Sequence, residues 1–213
     1  MHVFYLHGFA SSGRARKAAY FGERFARHGI ALRCPDFNEP DFATLTMTRM
    51  LDQVAREIDT LNSDPIVLIG SSLGAAVAVH TAARLGARIG PLVLLAPALT
   101  FPKDAASVLG AQTVARWRET GMLEVMHHGL GGMRSVSYAL YEDGLRYDGL
   151  RADVTQPTLI FQGLRDESVD HRTVERYAAS RANVTLTLLD DDHQLMASLP
   201  RIWDEMATFL GLS

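Results

Sequence analysis

Residues 66–79 read IVLIGSSLGAAVAV, and this stretch decides the fold. An apolar run at residues 66–69 leads into Gly70-Ser71-Ser72-Leu73-Gly74, and a helix-like apolar segment follows. The five central residues match G-x-S-x-G, a pattern in which the serine occupies a sharp turn between a strand and a helix. Glycines on both sides let neighbouring backbone pass where a Cβ atom would clash. The stretch therefore predicts a strand, a tight turn and a helix, with Ser72 as a candidate nucleophile.

Similar apolar runs recur along the chain and alternate with segments of helical periodicity. The predicted strands cover residues 3–6, 30–34, 66–69, 92–95, 158–162 and 184–189. The predicted helices cover about residues 14–28, 46–61, 72–85, 172–179 and 195–210. Most of the strands lack polar/apolar alternation, which is typical of a parallel sheet covered on both faces. The predicted fold is α/β, with a doubly wound, mostly parallel sheet of about six strands.

Residues 100–149 break this rhythm, because no convincing strand is evident there. Methionine and aromatic side chains accumulate instead: Trp117, Met122, Met126, Met133, Tyr138, Tyr141 and Tyr147. We predict a helical, cap-like insertion within a single domain that spans residues 1–213. Its apolar side chains either form a small core of their own or face a substrate pocket.

The composition excludes several classes of function. The 213 residues are 47% hydrophobic and 21% charged, which is ordinary for a globular domain. The net charge of −3 shows no basic excess of the kind that nucleic-acid-binding domains carry. The single cysteine, Cys34, excludes a disulfide framework and a multi-cysteine metal site. No H-E-x-x-H pattern is present, so we expect neither a metal nor another cofactor, and no nucleic-acid partner.

No stretch of the sequence predicts a membrane span. The longest mostly apolar run, residues 89–99, is interrupted by one glycine and two prolines and is shorter than the roughly 20 residues a span requires. The opening apolar run is too short for the core of a signal peptide and has no basic residues before it. We therefore expect a cytoplasmic protein.

A nucleophilic serine needs a base, and the base needs an orienting carboxylate. On this type of sheet the order along the chain is serine, acid, histidine. His193 follows the last predicted strand, and Asp166 follows the strand before it. The rival acids are Glu167, Asp170 and the run Asp190-Asp191-Asp192. We favour Asp166, and we interpret residues 190–192 as a solvated turn that caps the next helix.

The oxyanion of an acyl-transfer reaction needs two backbone donors. One candidate is the N–H of Leu73, directly after the serine, and the other is the N–H of Phe9 in the loop after the first strand. Ser11 and Ser12 are candidate caps for the following helix. We expect the ring of His7 to support this loop.

These residues resemble the α/β-hydrolase superfamily. The resemblance depends on residues 7–9, 70–74 and 163–169 and on His193, in that order along nearly the whole chain. The first predicted strand is the one before His7, so we expect a fold with a shortened N-terminal part. In this respect the sequence is similar to the small bacterial serine esterases of the YqiA type. This resemblance implies hydrolysis of short or medium acyl esters or thioesters, with a small molecule as partner, through an acyl-enzyme.

Two other functions stay open at this point. An acyl thioesterase or acyltransferase would use the same residues and differ only in leaving group and acceptor. A non-catalytic binding module could keep the hydrolase fold as a pocket, since a fold does not establish a function.

Overall fold

The computed structural model describes residues 1–62 and 64–212, which form eight strands and eight α-helices. The strands are β1 (His2–Leu6), β2 (Leu32–Arg33), β3 (Ile66–Ser71), β4 (Ile89–Leu95), β5 (Met122–Met126), β6 (Met133–Ser137), β7 (Thr158–Gly163) and β8 (Val184–Leu189). The helices are α1 (Arg16–Arg27), α2 (Met47–Asp59), α3 (Leu73–Leu85), α4 (Ala105–Leu109), α5 (Ala111–Thr120), α6 (Ala139–Gly144), α7 (His171–Ala179) and α8 (Leu199–Phe209).

Six of the strands form one sheet in the order β2-β1-β3-β4-β7-β8, and every neighbouring pair is parallel. Strand β3 lies inside the sheet, between β1 and β4, and all six of its residues are buried. Full burial on both faces explains why its sequence is a continuous apolar run rather than an alternating one. The predicted α/β fold with about six parallel strands is confirmed.

The sheet separates two hydrophobic cores. On one face, Phe21 of α1 and Met206 of α8 are fully buried against β1 and β7. On the other face, α2, α3 and the insertion pack together, with Val54 and Val77 fully buried. Each such side chain contributes about 1.5–3 kcal/mol through its removal from water. Within the described part of the chain, no helix is both long and apolar enough to cross a membrane.

The insertion at residues 100–149 is only partly helical, so the prediction of a helical insertion is wrong in this respect. It contains α4, α5 and α6, but β5 and β6 form an antiparallel hairpin between α5 and α6, with Met126 opposite Met133. Methionine, leucine and glutamate favour helices in isolation, which hides the strand at Met122–Met126. Its burial nevertheless alternates strictly, as expected for a strand with one face in solvent.

Candidate active site

The carboxyl ends of β1, β3, β7 and β8 meet at one edge of the sheet, where ligand-facing residues of open α/β sheets collect. Phe9 follows β1, and Ser72 follows β3. Asp166 follows β7, and His193 follows β8. The parallel topology therefore brings together the loops that carry the predicted site residues.

Ser72 occupies the turn between β3 and α3 with strained backbone angles. Its φ is +55° and its ψ is −117°, a region that residues with a Cβ atom rarely adopt. Its N–H donates to the Leu95 carbonyl at 2.9 Å, which ties the turn to β4. A Cβ atom at Gly70 would lie 2.5 Å from the Gly74 carbonyl oxygen, and one at Gly74 would lie still closer to the Leu6 carbonyl oxygen. Close backbone contact therefore requires both glycines of the motif.

Ser72, His193 and Asp166 form a hydrogen-bonded series. The Ser72 hydroxyl donates to His193 Nε2 over 3.1 Å, and His193 Nδ1 donates to Asp166 Oδ2 over 2.8 Å. With the proton on Nδ1, the Nε2 atom is free to accept the serine proton. The structure thus brings together all three residues that the sequence predicted.

The Asp166 side chain is fully buried and well supplied with donors. Its Oδ1 accepts the backbone N–H groups of Ser168 and Val169, each at 2.8 Å, and its Oδ2 accepts Gln162 Nε2 at 3.0 Å. Burial by itself raises the pKa of this carboxyl, but the hydrogen bond and charge of His193, with the Val169 and Gln162 donors, hold the pKa below its ordinary value. Asp166 is therefore ionised at neutral pH and suited to stabilise a protonated imidazole.

The rival carboxylates have other roles in the structure. Asp190 pairs with the Arg165 guanidinium at the surface. Asp191 is only 5% exposed and accepts the backbone N–H of Ser198, the N-cap of α8, at 2.9 Å. The prediction of a solvated turn is therefore wrong for Asp191, because its carboxylate is buried to fix the start of α8. Three rivals remain: Asp170 is the N-cap of α7, and the side chains of Glu167 and Asp192 are exposed.

The two predicted oxyanion donors lie beside Ser72. Leu73 is the first residue of α3, Phe9 lies in the loop after β1, and both line the cavity in front of Ser72. Among residues 1–62 and 64–212, neither backbone N–H donates a hydrogen bond. Both are therefore free to bind an oxyanion, and their role stays a prediction.

Buried polar side chains hold the loop after β1. The ring of His7 accepts the backbone N–H of Phe37 at 3.0 Å through Nε2. Burial lowers the pKa of His7, which keeps this nitrogen unprotonated and able to accept. Within the loop, Ser12 Oγ accepts the N–H of Arg14, and the N-cap of α1 is Ala15. The prediction that Ser11 or Ser12 caps α1 is therefore wrong.

The turn of the β5–β6 hairpin is bonded to the same loop. The Ala10 carbonyl accepts the backbone N–H groups of His128 and Gly129 at 2.9 and 3.3 Å. Beneath this contact, His127 is fully buried, and its Nε2 donates to Asn38 Oδ1 at 2.8 Å. Asn38 Nδ2 in turn donates to the Ser11 carbonyl at 2.9 Å. The insertion thus fixes the position of the loop that carries Phe9.

A cavity of about 550 Å³ opens in front of Ser72. Its lining includes apolar side chains of the insertion: Phe101, Val108, Leu109, Trp117, Leu123 and Leu140. The Trp117 ring is 3% exposed, and its Nε1–H donates to the Val136 carbonyl at 3.1 Å, which fixes the ring in the wall. The arrangement can hold an apolar chain whose end reaches the Ser72 hydroxyl.

Two residues that line or support this site are absent from the sequence predictions. Lys17 lines the cavity. Its burial could have been predicted from the sequence, because Lys17 lies on the same face of α1 as Phe21 and Phe25, which follow it by one and two helical turns. His127 belongs to a His-His pair, and only the hairpin shows that it supports the loop after β1. Cys34 is half-buried, and burial raises the pKa of its thiol to about 11, so it is not a competing nucleophile at neutral pH.

Metal ligands are not grouped in this structure. Among the residues described, no set of three or more histidine, cysteine, aspartate or glutamate side chains is placed to hold a metal ion.

Solved structures with the same fold cover nearly the whole chain. A candidate hydrolase from Agrobacterium vitis S4 has a TM-score of 0.84 and 25% identity, and the match covers 97% of this chain and 87% of that one. Mouse alpha/beta hydrolase domain-containing protein 10 has a TM-score of 0.80 and 21% identity, covering 100% and 90%. Est1E from Butyrivibrio proteoclasticus, with ferulic acid bound, has a TM-score of 0.79 and 20% identity, covering 98% and 89%. These likenesses confirm the α/β-hydrolase fold.

Sequence comparison gives one partial relative and one family. Lipase LipV of Mycobacterium tuberculosis (strain ATCC 25618 / H37Rv) is 32% identical over 105 residues, which are 46% of this chain and 38% of that lipase. The chain thus matches well under half of the lipase. The model of the family described as "Uncharacterised protein family (UPF0227)" matches residues 2–210. Because this match covers almost the entire chain, the protein is an α/β-hydrolase that belongs to the family UPF0227.

Proposed function

We propose that the protein is a serine hydrolase that cleaves carboxylic esters of short to medium acyl chains. The observation that carries this proposal is the hydrogen-bonded series of Ser72, His193 and Asp166, with distances of 3.1 and 2.8 Å. The series lies at one wall of a mostly apolar cavity, so a carbonyl carbon and an acyl chain can be held at the same time. The esterase and lipase names among the similar proteins support the same class.

In the first half of the reaction, Ser72 Oγ attacks the ester carbonyl carbon while His193 Nε2 takes the hydroxyl proton. The carbonyl oxygen becomes an anion and accepts the N–H groups of Phe9 and Leu73. His193 then gives its proton to the alcohol oxygen as the bond between that oxygen and the carbonyl carbon breaks. The product of this half is an acyl group on Ser72 and a free alcohol.

In the second half, a water molecule attacks the acyl carbon and His193 takes one of its protons. The tetrahedral intermediate collapses, the proton returns to Ser72 Oγ, and the carboxylic acid leaves. Asp166 holds the imidazole through Nδ1 in both halves and stabilises its charged form.

The cavity supports a short or medium acyl chain as the preferred group. Its volume of about 550 Å³ is moderate for a ligand site, and its lining includes the apolar side chains of Trp117 and Leu140 from the insertion. An acyl chain against this lining would replace water beside apolar side chains, which is favourable in proportion to the area buried.

The proposal is tested by turnover on matched oxygen esters and thioesters, from acetyl to dodecanoyl. We expect the oxygen esters of short and medium chains to be hydrolysed fastest. Faster turnover of the thioesters would instead identify an acyl thioesterase. Transfer of the acyl group to an added alcohol would identify an acyltransferase. Ser72→Ala is expected to lower kcat by about four to six orders of magnitude. Ser107→Ala, an exposed serine on α4, is the matched control and is expected to behave as the wild type. Turnover retained in Ser72→Ala would contradict the proposal.

A further inference from the structure

The start of α1 lies beside the cavity without the groups that normally neutralise a helix N-terminus. Its N-cap is Ala15, whose side chain makes no cap hydrogen bond, and its first turn contains no acidic residue. The unpaired N–H groups and the dipole at a helix N-terminus attract anions. The N-terminus of α1 therefore carries a partial positive charge that no acidic side chain in its first turn neutralises.

Three basic residues lie at this helix start, where the helix dipole disfavours them: Arg14, Arg16 and Lys17. Arg14 and Arg16 are exposed to solvent. Lys17 is only 9% exposed, and it lines the cavity that contains Ser72. Lys103 is the one other lysine of the sequence, and all remaining basic residues among the 21 lysines and arginines are arginines. A buried lysine at this place is therefore unusual for this chain.

The Lys17 ammonium has no direct partner among residues 1–62 and 64–212, where it makes neither a hydrogen bond nor an ion pair. Burial lowers its pKa to about 8, and the more distant carboxylates of Asp192, Asp166 and Asp191 oppose this effect. The amine is thus charged at neutral pH. The Lys17 residue as a whole is nine-tenths buried and it lines the cavity, so the cavity is the place from which a partner for its ammonium can come.

Lys17 belongs to α1, which packs on the face of the sheet opposite the insertion, and we call this side of the cavity its polar end. Tyr5 and the first turn of α1 belong to the face of the sheet that α8 covers, whereas Trp117 and Leu140 belong to the opposite face. His193 and Gln194, which also line the cavity, lead into α8. The leaving oxygen must lie against His193 Nε2 to receive its proton, so the alcohol or thiol part of a substrate faces this polar end.

We propose that Lys17 and the N-terminus of α1 form a subsite for an anionic group, a carboxylate or a phosphate, on the alcohol or thiol part of the substrate. This inference rests on the proposed ester hydrolysis and names its substrate class. The acyl chain occupies the apolar end under the insertion, and the anion of the leaving group pairs with the Lys17 ammonium. A charge-assisted hydrogen bond at this depth is one of the stronger polar contacts in proteins.

A different role for Lys17 would be to balance the charges of Asp166, Asp191 and Asp192 without touching substrate. In that case its removal would disturb the triad and slow all esters alike. An anion subsite instead affects esters with a charged leaving group and leaves uncharged ones almost unchanged. The two roles are therefore separated by a comparison of charged and uncharged substrates.

The probes are pairs of butyryl esters that differ in one charge. For the carboxylate, meta-(butyryloxy)benzoate is compared with its uncharged methyl ester. For the phosphate, butyryloxyethyl phosphate is compared with butyryloxyethyl methyl ether. Nitrophenyl hemisuccinate, compared with nitrophenyl butyrate, places the charge on the acyl side instead. We expect the wild type to prefer at least one charged leaving group by about tenfold or more in kcat/KM, and to show no preference for the hemisuccinate.

The variants are Lys17→Gln, Lys17→Arg and the matched control Lys103→Gln, which removes the other lysine. Lys17→Gln is expected to abolish the preference for the charged leaving group, mainly through KM, while the uncharged esters keep at least half of their turnover. Lys17→Arg is expected to restore part of the preference, and Lys103→Gln to retain all of it. Labelling of Ser72 by a fluorophosphonate is expected to be as fast in Lys17→Gln as in the wild type.

The outcomes separate this inference from the proposed function. A wild type that neither hydrolyses any ester nor takes the fluorophosphonate would contradict the proposed function itself. A wild type that is active but shows no preference within either leaving-group pair overturns the subsite, and this result needs no variant to fold. An equal loss on charged and uncharged esters in Lys17→Gln also overturns it and assigns Lys17 to charge balance.

Discussion

The loops at the carboxyl edge of the sheet and the insertion at residues 100–149 line the same cavity but are built differently. At the sheet edge, the Asp166 side chain is fully buried and accepts four hydrogen bonds. In the insertion, Met126 and Met133 are more than half exposed, and the side chains that line the cavity are mostly apolar. Under the proposed function, we expect the sheet edge to control the chemical step and the insertion to control which acyl group fits.

One contact joins the two regions, and it concerns the loop after β1. The hairpin turn donates two backbone hydrogen bonds to the Ala10 carbonyl, and the buried pair of Asn38 and His127 lies beneath it. This loop carries Phe9, whose N–H is one predicted oxyanion donor. The insertion can therefore affect kcat through this contact.

The largest effect within the sheet edge is expected for Asp166→Asn. The amide oxygen is expected to take the backbone N–H groups of Ser168 and Val169, so the NH2 group faces His193 Nδ1 and favours the wrong tautomer. The neutral amide also cannot stabilise the charged imidazole, so kcat should fall by roughly 10⁴-fold with KM little changed. Steady-state kinetics on a butyryl ester measure this, with the exposed Asp192→Asn as the matched control. Near wild-type turnover in Asp166→Asn, with a crippled variant at residues 190–192, would show that the acid is misassigned.

The contact between the regions is broken by Asn38→Ala. The substitution removes the donor to the Ser11 carbonyl and leaves the buried His127 Nε2–H without its acceptor. We expect the oxyanion loop to move and kcat to fall by roughly 10- to 100-fold, in line with the loss of one oxyanion donor. Asn62→Ala, an exposed asparagine, is the control. A change in KM with unchanged kcat would show that Asn38 does not affect the chemical step.

Within the insertion, Trp117→Ala should change the acyl-chain preference. Removal of the ring enlarges the apolar end of the cavity, so kcat/KM for butyryl esters should fall about tenfold relative to that for decanoyl esters. Trp203→Ala is the matched control, because Trp203 packs against Phe25 on the opposite face of the sheet, with 5.0 Å between the ring centroids. Both variants should lose about 3–5 kcal/mol of unfolding free energy. An unchanged preference for acyl-chain length in Trp117→Ala would show that this part of the insertion does not select the substrate.

The smallest effect concerns pH. A lysine is charged below its pKa and neutral above it, and burial brings the pKa of Lys17 to about 8. The preference for an anionic leaving group should therefore decline as pH rises through about 8. The charged groups around Lys17 are the carboxylates of Asp192, Asp166 and Asp191, with Arg14 and Arg16 at its own helix end. In Lys17→Arg the preference should persist to higher pH.

The sheet and the three central residues could be predicted because each depends on local sequence. The strand before Ser72 is a continuous apolar run, the two glycines are required by close contact, and parallel topology places Asp166 and His193 at the same edge. The extents of β1, β3, β7 and β8 differ from the predicted ones by two residues or less.

The parts that could not be predicted depend on long-range contacts. The strand at Met122–Met126 has residues that favour helices, and only pairing with Met133–Ser137 makes it a strand. Asp191 looks like a surface residue between two aspartates, yet α8 buries it. Ser12 precedes a helix as a cap would, but its hydroxyl binds within the loop. Tertiary contacts override the local preference in the first two cases, whereas the Ser12 hydroxyl is held by a contact within its own loop.

The most direct test of the proposed chemistry is intact-mass analysis after treatment with a fluorophosphonate, followed by mapping of the modified peptide. An activated serine with an assembled base and oxyanion site takes one such group. We expect one adduct, on Ser72, that is absent in Ser72→Ala and still present in Ser71→Ala. No adduct on correctly folded protein, or an adduct on a residue other than Ser72, would contradict the assignment of Ser72, His193 and Asp166 as a working triad.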